Sequence, residues 1–223
     1  MFILLIGAGL IVGAIWAVWF SSLLSVQQVR VVGVEGGRAD VILAEAAVPV
    51  GQPLARIDTQ TAEQSVRALP WVATAEVRRG WPSEIVIAVT VREPVAQLVA
   101  PGQSAYAANQ GVRRAVDAEG VVFEPEGALA KGLPRVTAEG DALAAAVTVL
   151  QGLPDDLARR VVSVSATTVD DVVLELRSGD EVRWGSADQS EFKADVLRAL
   201  LRRKADMYDV SAPEMPTIFR PGG

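Results

Sequence analysis

The sequence predicts an α+β protein: an N-terminal transmembrane helix, a compact unit ordered strand, helix, helix, strand, strand, and a β-rich domain with flanking helices. Three observations carry this. Met1 to Leu24 contains no charged side chain. Leu69 to Ala96, LPWVATAEVRRGWPSEIVIAVTVREPVA, alternates residue character on both sides of a Gly-Trp-Pro joint, the period of paired β-strands. Beyond Leu98, short β-branched runs are interspersed with apolar repeats of helical spacing.

The first 24 residues would form a helix about 36 Å long, enough to cross a hydrocarbon core of about 30 Å with some tilt. Trp16 and Trp19 fall near its C-terminal end, where an indole can bury its ring and still hydrogen-bond at the interface. A cleaved signal peptide would need a basic leader, a shorter apolar core and a small-x-small cleavage site. AVWFSSLLSV offers no convincing site of that kind. Gly9, Gly13 and Ala17 form a small-residue stripe suited to close helix approach, although small residues are common in membrane helices anyway. Gly7-Ala-Gly9 is not a dinucleotide loop, because no strand precedes it and the final Gly of the motif is missing.

VQQVRVVGV, Val26 to Val34, reads as a strand closed by Gly36-Gly37. Asp40 to Ala47 predicts a short helix stopped by Pro49 and Gly51. Asp58 or Thr59 can cap a second helix, in which Ala62, Val66 and Leu69 recur at i, i+4, i+7 and Pro70 marks the end. In the hairpin, Ala73, Ala75 and Val77 are expected to share one face of the first strand. Ile85, Ile87, Val89 and Val91 share one face of the second. Gly80 to Ser83 supplies the turn, and Pro94 ends the pair by removing a ladder donor.

VRRAVDAEGVVF, Val112 to Phe123, predicts two β-runs around a turn at Asp117 to Gly120. A cation loop would need five or six oxygen ligands, and one Asp and one Glu are present. Asp141 to Leu150 predicts a helix, and LPDDLARR a short second one. Val161 to Gly185 gives three strands joined at Asp170-Asp171 and Ser178 to Asp180. Asp188 to Ala205 is the clearest helix, with Phe192, Val196 and Leu200 as its expected core row beside Leu197 and Leu201. Met207 to Ser211 then forms a short last strand, followed by a Pro-interrupted tail.

The chain of 223 residues has no Cys and no His. That removes thiol nucleophiles, disulfides, thiolate zinc sites, imidazole metal ligands and Ser-His-Asp triads. A net charge of −6 argues against a nucleic-acid binder, which would carry a basic stripe. Asp155-Asp156 suits a helix start and Asp170-Asp171 a turn, so neither pair needs an acid/base role. Arg78 and Arg79 could meet a partner, but a solvated strand face is the simpler reading. Ser190-Glu-Phe-Lys193 matches the S-x-x-K nucleophile motif of acyl-transfer enzymes at the cell wall. Its supporting S-D-N and K-T-G elements are absent. Phe192 is expected in the core, which leaves Lys193 on the helix surface.

LPWV at Leu69 to Val72, VRR at Val77 to Arg79, Trp81-Pro82 and REPVA at Arg92 to Ala96 act together as a signature. With Val26, Val29, Val31, Gly33, Ile57 and Asp58, they resemble the POTRA domain of the bacterial cell-division family FtsQ, called DivIB in some lineages. VDAEGVVF at Val116 to Phe123 and LPRV at Leu133 to Val136 are similar to segments of the same family's second domain. The resemblance implies a transmembrane helix at 1–24, a POTRA domain at 26–96, a β-rich domain at 97–211 and an extended tail at 212–223. It implies a non-enzymatic scaffold, without cofactor or nucleic-acid partner. The scaffold would sit in the plasma (inner) membrane at the septum, N-terminus in the cytoplasm and bulk outside. Its implied partners are FtsB (DivIC) and FtsL, and through them the septal peptidoglycan synthase pair FtsW and FtsI. The matching partner-binding positions are Tyr208, Asp209, Val210, Ser211 and Ala212. An edge strand there would accept a partner segment as a further strand. The alternative is a POTRA-bearing transport or assembly subunit of another membrane complex.

Overall fold

The computed structural model describes residues 24–100, 102, 113–127 and 129–220. The expected membrane span up to residue 23, with Gly9 and Gly13, lies outside the described residues. Among them, no helix is long and apolar enough to cross a membrane. The chain divides after Arg92 into two compact units.

The first unit has the expected order. It runs β1 (Gln28–Val32), α1 (Gly37–Ala46), α2 (Thr59–Arg67), β2 (Val72–Gly80) and β3 (Glu84–Val91), with a 3-10 turn at Leu54–Arg56. The two helices carry the chain over the crossover that lets β1 lie parallel to β3, from Gln28 opposite Glu84 to Val32 opposite Ala88. β2 pairs antiparallel on the other side of β3. Asp58 caps α2, its carboxylate accepting from the backbone N–H groups of Gln60 and Thr61, each at 3.1 Å. Those bonds, with one from the Thr61 hydroxyl, hold its pKa below the ordinary carboxylate value.

Ile42, Leu54, Ile57, Val66, Ile85 and Ile87 form the heart of this unit's core. Ile85, Ile87 and Val89 point inward as expected. In β2 the inward set is Val72, Ala75 and Val77, and Ala73 is only half-buried. A register shift between Val72 and Thr74 breaks the period-2 pattern, so the larger side chain turns inward at the start of the strand. Trp71 is covered by the Arg38 guanidinium, 4.6 Å from its ring centre. Arg79 donates from Nε to the Leu54 carbonyl at 2.9 Å and from Nη2 to that of Ile57 at 2.5 Å. It is a tie between the hairpin and the 3-10 turn.

The second unit contains β4 (Ala96–Leu98), β5 (Arg114–Val116), β6 (Val122–Phe123), β7 (Arg135–Thr137), α3 (Gly140–Gly152) and α4 (Asp155–Ala158). These are followed by β8 (Val161–Ala166), β9 (Val172–Leu176), β10 (Glu181–Gly185), α5 (Ser190–Leu200), β11 (Met207–Asp209) and β12 (Thr217–Phe219). Ala96 therefore opens the second sheet, earlier than the expected domain boundary. The strands lie in the order β12-β11-β10-β9-β8-β7-β4-β5-β6. Leu143, Ala146 and Val147 of α3 join Ala194 and Leu197 of α5 in a core with Val164, Leu174, Val182 and Trp184 of the strands.

Two expectations are corrected here. α5 is shorter than predicted and turned about its axis: Phe192 is 48% exposed, whereas Lys193 is 2% exposed beside Ala194 and Leu197. A lysine's aliphatic stem can fill a core position when its ammonium finds an acceptor, and Lys193 Nζ donates to the Ser186 carbonyl at 2.8 Å. The second correction concerns the sheet end. The free edge expected there is absent at Tyr208 and Asp209, which lie in β11: the chain beyond Pro216 returns as β12 and pairs antiparallel with Met207 to Asp209.

Candidate functional site

The five predicted positions come together in one corner of the second unit. Tyr208 is buried between Val182 of β10 and Ile218 of β12, its neighbours in register. Its hydroxyl donates to the Arg203 carbonyl at 2.8 Å and accepts from Ala205 N–H at 3.2 Å. The residue thereby fixes the loop between α5 and β11. Val210 is fully buried, and its N–H donates to the Arg183 carbonyl at 3.0 Å. Asp209 accepts from both Ser211 N–H, at 3.0 Å, and the Ser211 hydroxyl, at 2.6 Å. Ala212 accepts from Met215 N–H at 2.9 Å as the chain turns.

Gly185 shows how tightly that corner is packed. Its φ is +76°, and a Cβ added to it would lie 2.9 Å from Ser211 Cβ. Met207 to Asp209 thus carry a backbone ladder on either side, and Ser211 packs closely against Gly185.

The open backbone belongs to β12. Met207, Tyr208 and Asp209 face Phe219, Ile218 and Thr217, and among the described residues no strand pairs with the other side of β12. Ile218 packs against the core, whereas Phe219 is 69% exposed and Met215 still more so. Pro216 and Pro221 bracket Thr217 to Arg220. Neither proline can donate to a ladder, so an added strand would find a short, bounded template. Among the described residues, the opposite end of the sheet is the two-residue β6. Sequence reasoning passed over β12, although Thr-Ile-Phe is a β-favouring triplet.

Ser190 and Lys193 of the nucleophile motif, and the acidic residues Asp156 and Asp117, have structural partners. Ser190 donates its hydroxyl proton to the Ala187 carbonyl at 2.8 Å and accepts from the Trp184 indole N–H at 3.3 Å. Lys193 is committed to Ser186, and burial holds its pKa below the usual lysine value, opposed by Asp188 and Asp170. Neither contact joins the two as nucleophile and base. Asp156 accepts both Nε and Nη2 of Arg198, at 3.0 and 2.7 Å, which ties α4 to α5. Asp117 Oδ1 accepts from Glu119 and Val121 N–H, at 3.1 and 2.8 Å, and Gly120 has a φ of +81°. That is a side-chain-stabilised turn. Among the described residues, no three acidic side chains gather as metal ligands.

With that geometry in view, likeness to known proteins covers both units. The family model described as POTRA domain, FtsQ-type, matches residues 24–92. The model described as Cell division protein FtsQ/DivIB, C-terminal, matches residues 105–212 and so ends before β12. The cell division protein FtsQ of Streptomyces griseus is 38% identical over 213 residues, covering 89% of this chain and 98% of that protein. Its counterpart in Streptomyces bingchenggensis is 33% identical over 221 residues, covering 92% and 80%. That of Mycobacteroides abscessus is 32% identical over 204 residues, covering 90% and 63%.

Proposed function

The chain belongs to the FtsQ family of cell-division proteins, and on that premise we propose that it is a non-enzymatic scaffold of the division machinery. Anchored in the plasma membrane by its first 24 residues, with its N-terminus in the cytoplasm, it holds FtsB/DivIC-type and FtsL-type partners outside the membrane at the septum. Through them it influences septal peptidoglycan synthesis by FtsW and FtsI. The partner segment adds as a strand to the outer edge of β12.

The observation that supports this reading is the unpaired edge at Thr217 to Phe219 beside two exposed apolar side chains, Met215 and Phe219. Backbone hydrogen bonds to an added strand supply affinity, and side-chain contacts along it supply selection. Phe219 is the natural anchor, since aromatic residues that become buried on binding dominate interface energies. A proline at Val210 would be a poor test, because it deletes a hydrogen bond to Arg183 inside the fold.

The cleaner experiment places a photo-crosslinking amino acid at Thr217, Phe219 or, as a control on an exposed turn away from β12, Val169. Positions 217 and 219 should crosslink to the FtsB-type partner, and 169 should not. Phe219→Ala should weaken binding by about tenfold or more, about 1.4 kcal/mol, without changing thermal stability. Co-purification of the partner with no crosslink at either β12 position would refute the edge model.

A further inference from the structure

One end of the first unit carries two apolar side chains that its core does not use. Trp81, in the β2–β3 turn, is 55% exposed, and Val50, in the loop after α1, is 68% exposed. The contrast with Trp71 under Arg38 and Trp184 in the second core makes Trp81 the unexplained indole among those described.

Both loops are tied by backbone bonds to the residues that follow the apolar N-terminal run. Gly51 N–H donates to the Val26 carbonyl and Val26 N–H to that of Gln52, each at 2.8 Å. Ser25 and Pro53 form an isolated β-bridge. On the other side, Gln27 and Gln28 N–H donate to the Ser83 carbonyl, at 2.8 and 3.3 Å. The chain therefore emerges from its apolar run between the two exposed tips.

We infer that Val50 and Trp81 dock into the headgroup layer of the same bilayer that the N-terminal run enters. This rests on the anchored reading above. A residue spans at most about 3.6 Å, so Gln27 lies within about 11 Å of Leu24. The headgroup region on each side of a bilayer is about 5–7 Å thick. Two tips that flank residues 25 to 28 consequently lie in that layer or beside it. An indole suits the position, because its ring prefers apolar surroundings while its N–H finds water or phosphate. Charge sits beside the tips: Glu84, opposite Gln28 of β1 and Gly80 of β2, pairs with Arg30 at 2.7 Å where the strands leave for the far end of the unit. The occupant is lipid, since the chain's own connection supplies the proximity that another partner would have to earn by affinity.

The absence of native cysteine allows a direct test on the full chain. Val50→Cys, Trp81→Cys and Glu35→Cys variants each carry an environment-sensitive fluorophore in phosphatidylethanolamine–phosphatidylglycerol vesicles containing a quencher at headgroup depth. Glu35 follows β1, about 16 Å along the strand from the tips. Labels at 50 and 81 should show blue-shifted emission and lose intensity to the quencher, whereas the label at 35 should do neither. The Val50→Cys variant keeps Trp81 and gives an independent reading if the Trp81 variant folds poorly. If labels 50 and 81 behave like label 35 while the chain resists alkaline extraction, the docking is overturned and the anchor stands. Release of the chain by alkaline extraction overturns both.

Discussion

Asp156 shows what a single charged contact contributes in this fold. Its two hydrogen bonds from Arg198 lower its pKa from 3.8 to about 2, and they also raise that of the guanidinium. Between those values the folded chain keeps the carboxylate ionised while the unfolded chain takes up a proton, so stability rises with pH. The contribution is complete above the unfolded value and is lost as pH falls through about 2. In Asp156→Asn, the loss of melting temperature on acidification from about pH 5 to pH 2 should be shallower than in the wild type. Equal slopes in a pH series of thermal melts would contradict this. The effect is small, since both partners are substantially exposed. The pair of acids was legible as a helix start, but its partner, 42 positions away, was not. Lys193 was harder still. Its charge suggested the surface, and only the position of the Ser186 carbonyl explains why its stem lies in the core while Phe192 faces outward.

At the scale of elements, close backbone approaches decide which positions tolerate change. Gly33, just after β1, has a φ of +102°, and a Cβ there would lie 1.9 Å from the Val89 carbonyl oxygen. Gly51 has a φ of +88° with open space around it. Gly33→Ala should therefore cost at least about 3 kcal/mol, combining backbone strain with a clash that forces β1 away from β3. Gly51→Ala should cost only the left-handed conformation, about 1–2 kcal/mol. Denaturant titration of the two variants separates the effects, and equal losses would remove the close-approach argument. Most elements were legible because hydrophobic period and turn chemistry agreed, as in β3 with Ile85, Ile87 and Val89. β12 was not. Pro213 and Pro216 marked the tail as irregular, yet both precede the ladder, and an edge strand tolerates such neighbours. Its pairing with β11 is a long-range choice that no local pattern announces.

At the scale of the whole molecule, the two units close their cores separately. The first cluster runs from Val26 to Val89 and the second from Ala96 to Val210, and among the described residues the two sheets share no strand. The POTRA signature made the first unit visible because its fixed residues serve local geometry: Trp71 takes Arg38 and Arg79 holds the 3-10 turn. The second unit's sheet order depends on pairings between distant segments, such as β4 with β7 and β10 with β11, and these were not readable. Separate cores predict separate unfolding. A fragment of residues 24–92 and another of 93–223 should each give a cooperative thermal transition by circular dichroism. The smaller unit should melt first, since a domain of roughly 70 residues buries only about 60% of its chain surface. In a fragment of residues 24–223, Gly33→Ala should lower only the first transition, by more than about 10 °C. Asp156→Asn should alter the acid sensitivity of only the second. One transition shifted by both substitutions would mean that the units fold as a single cooperative body.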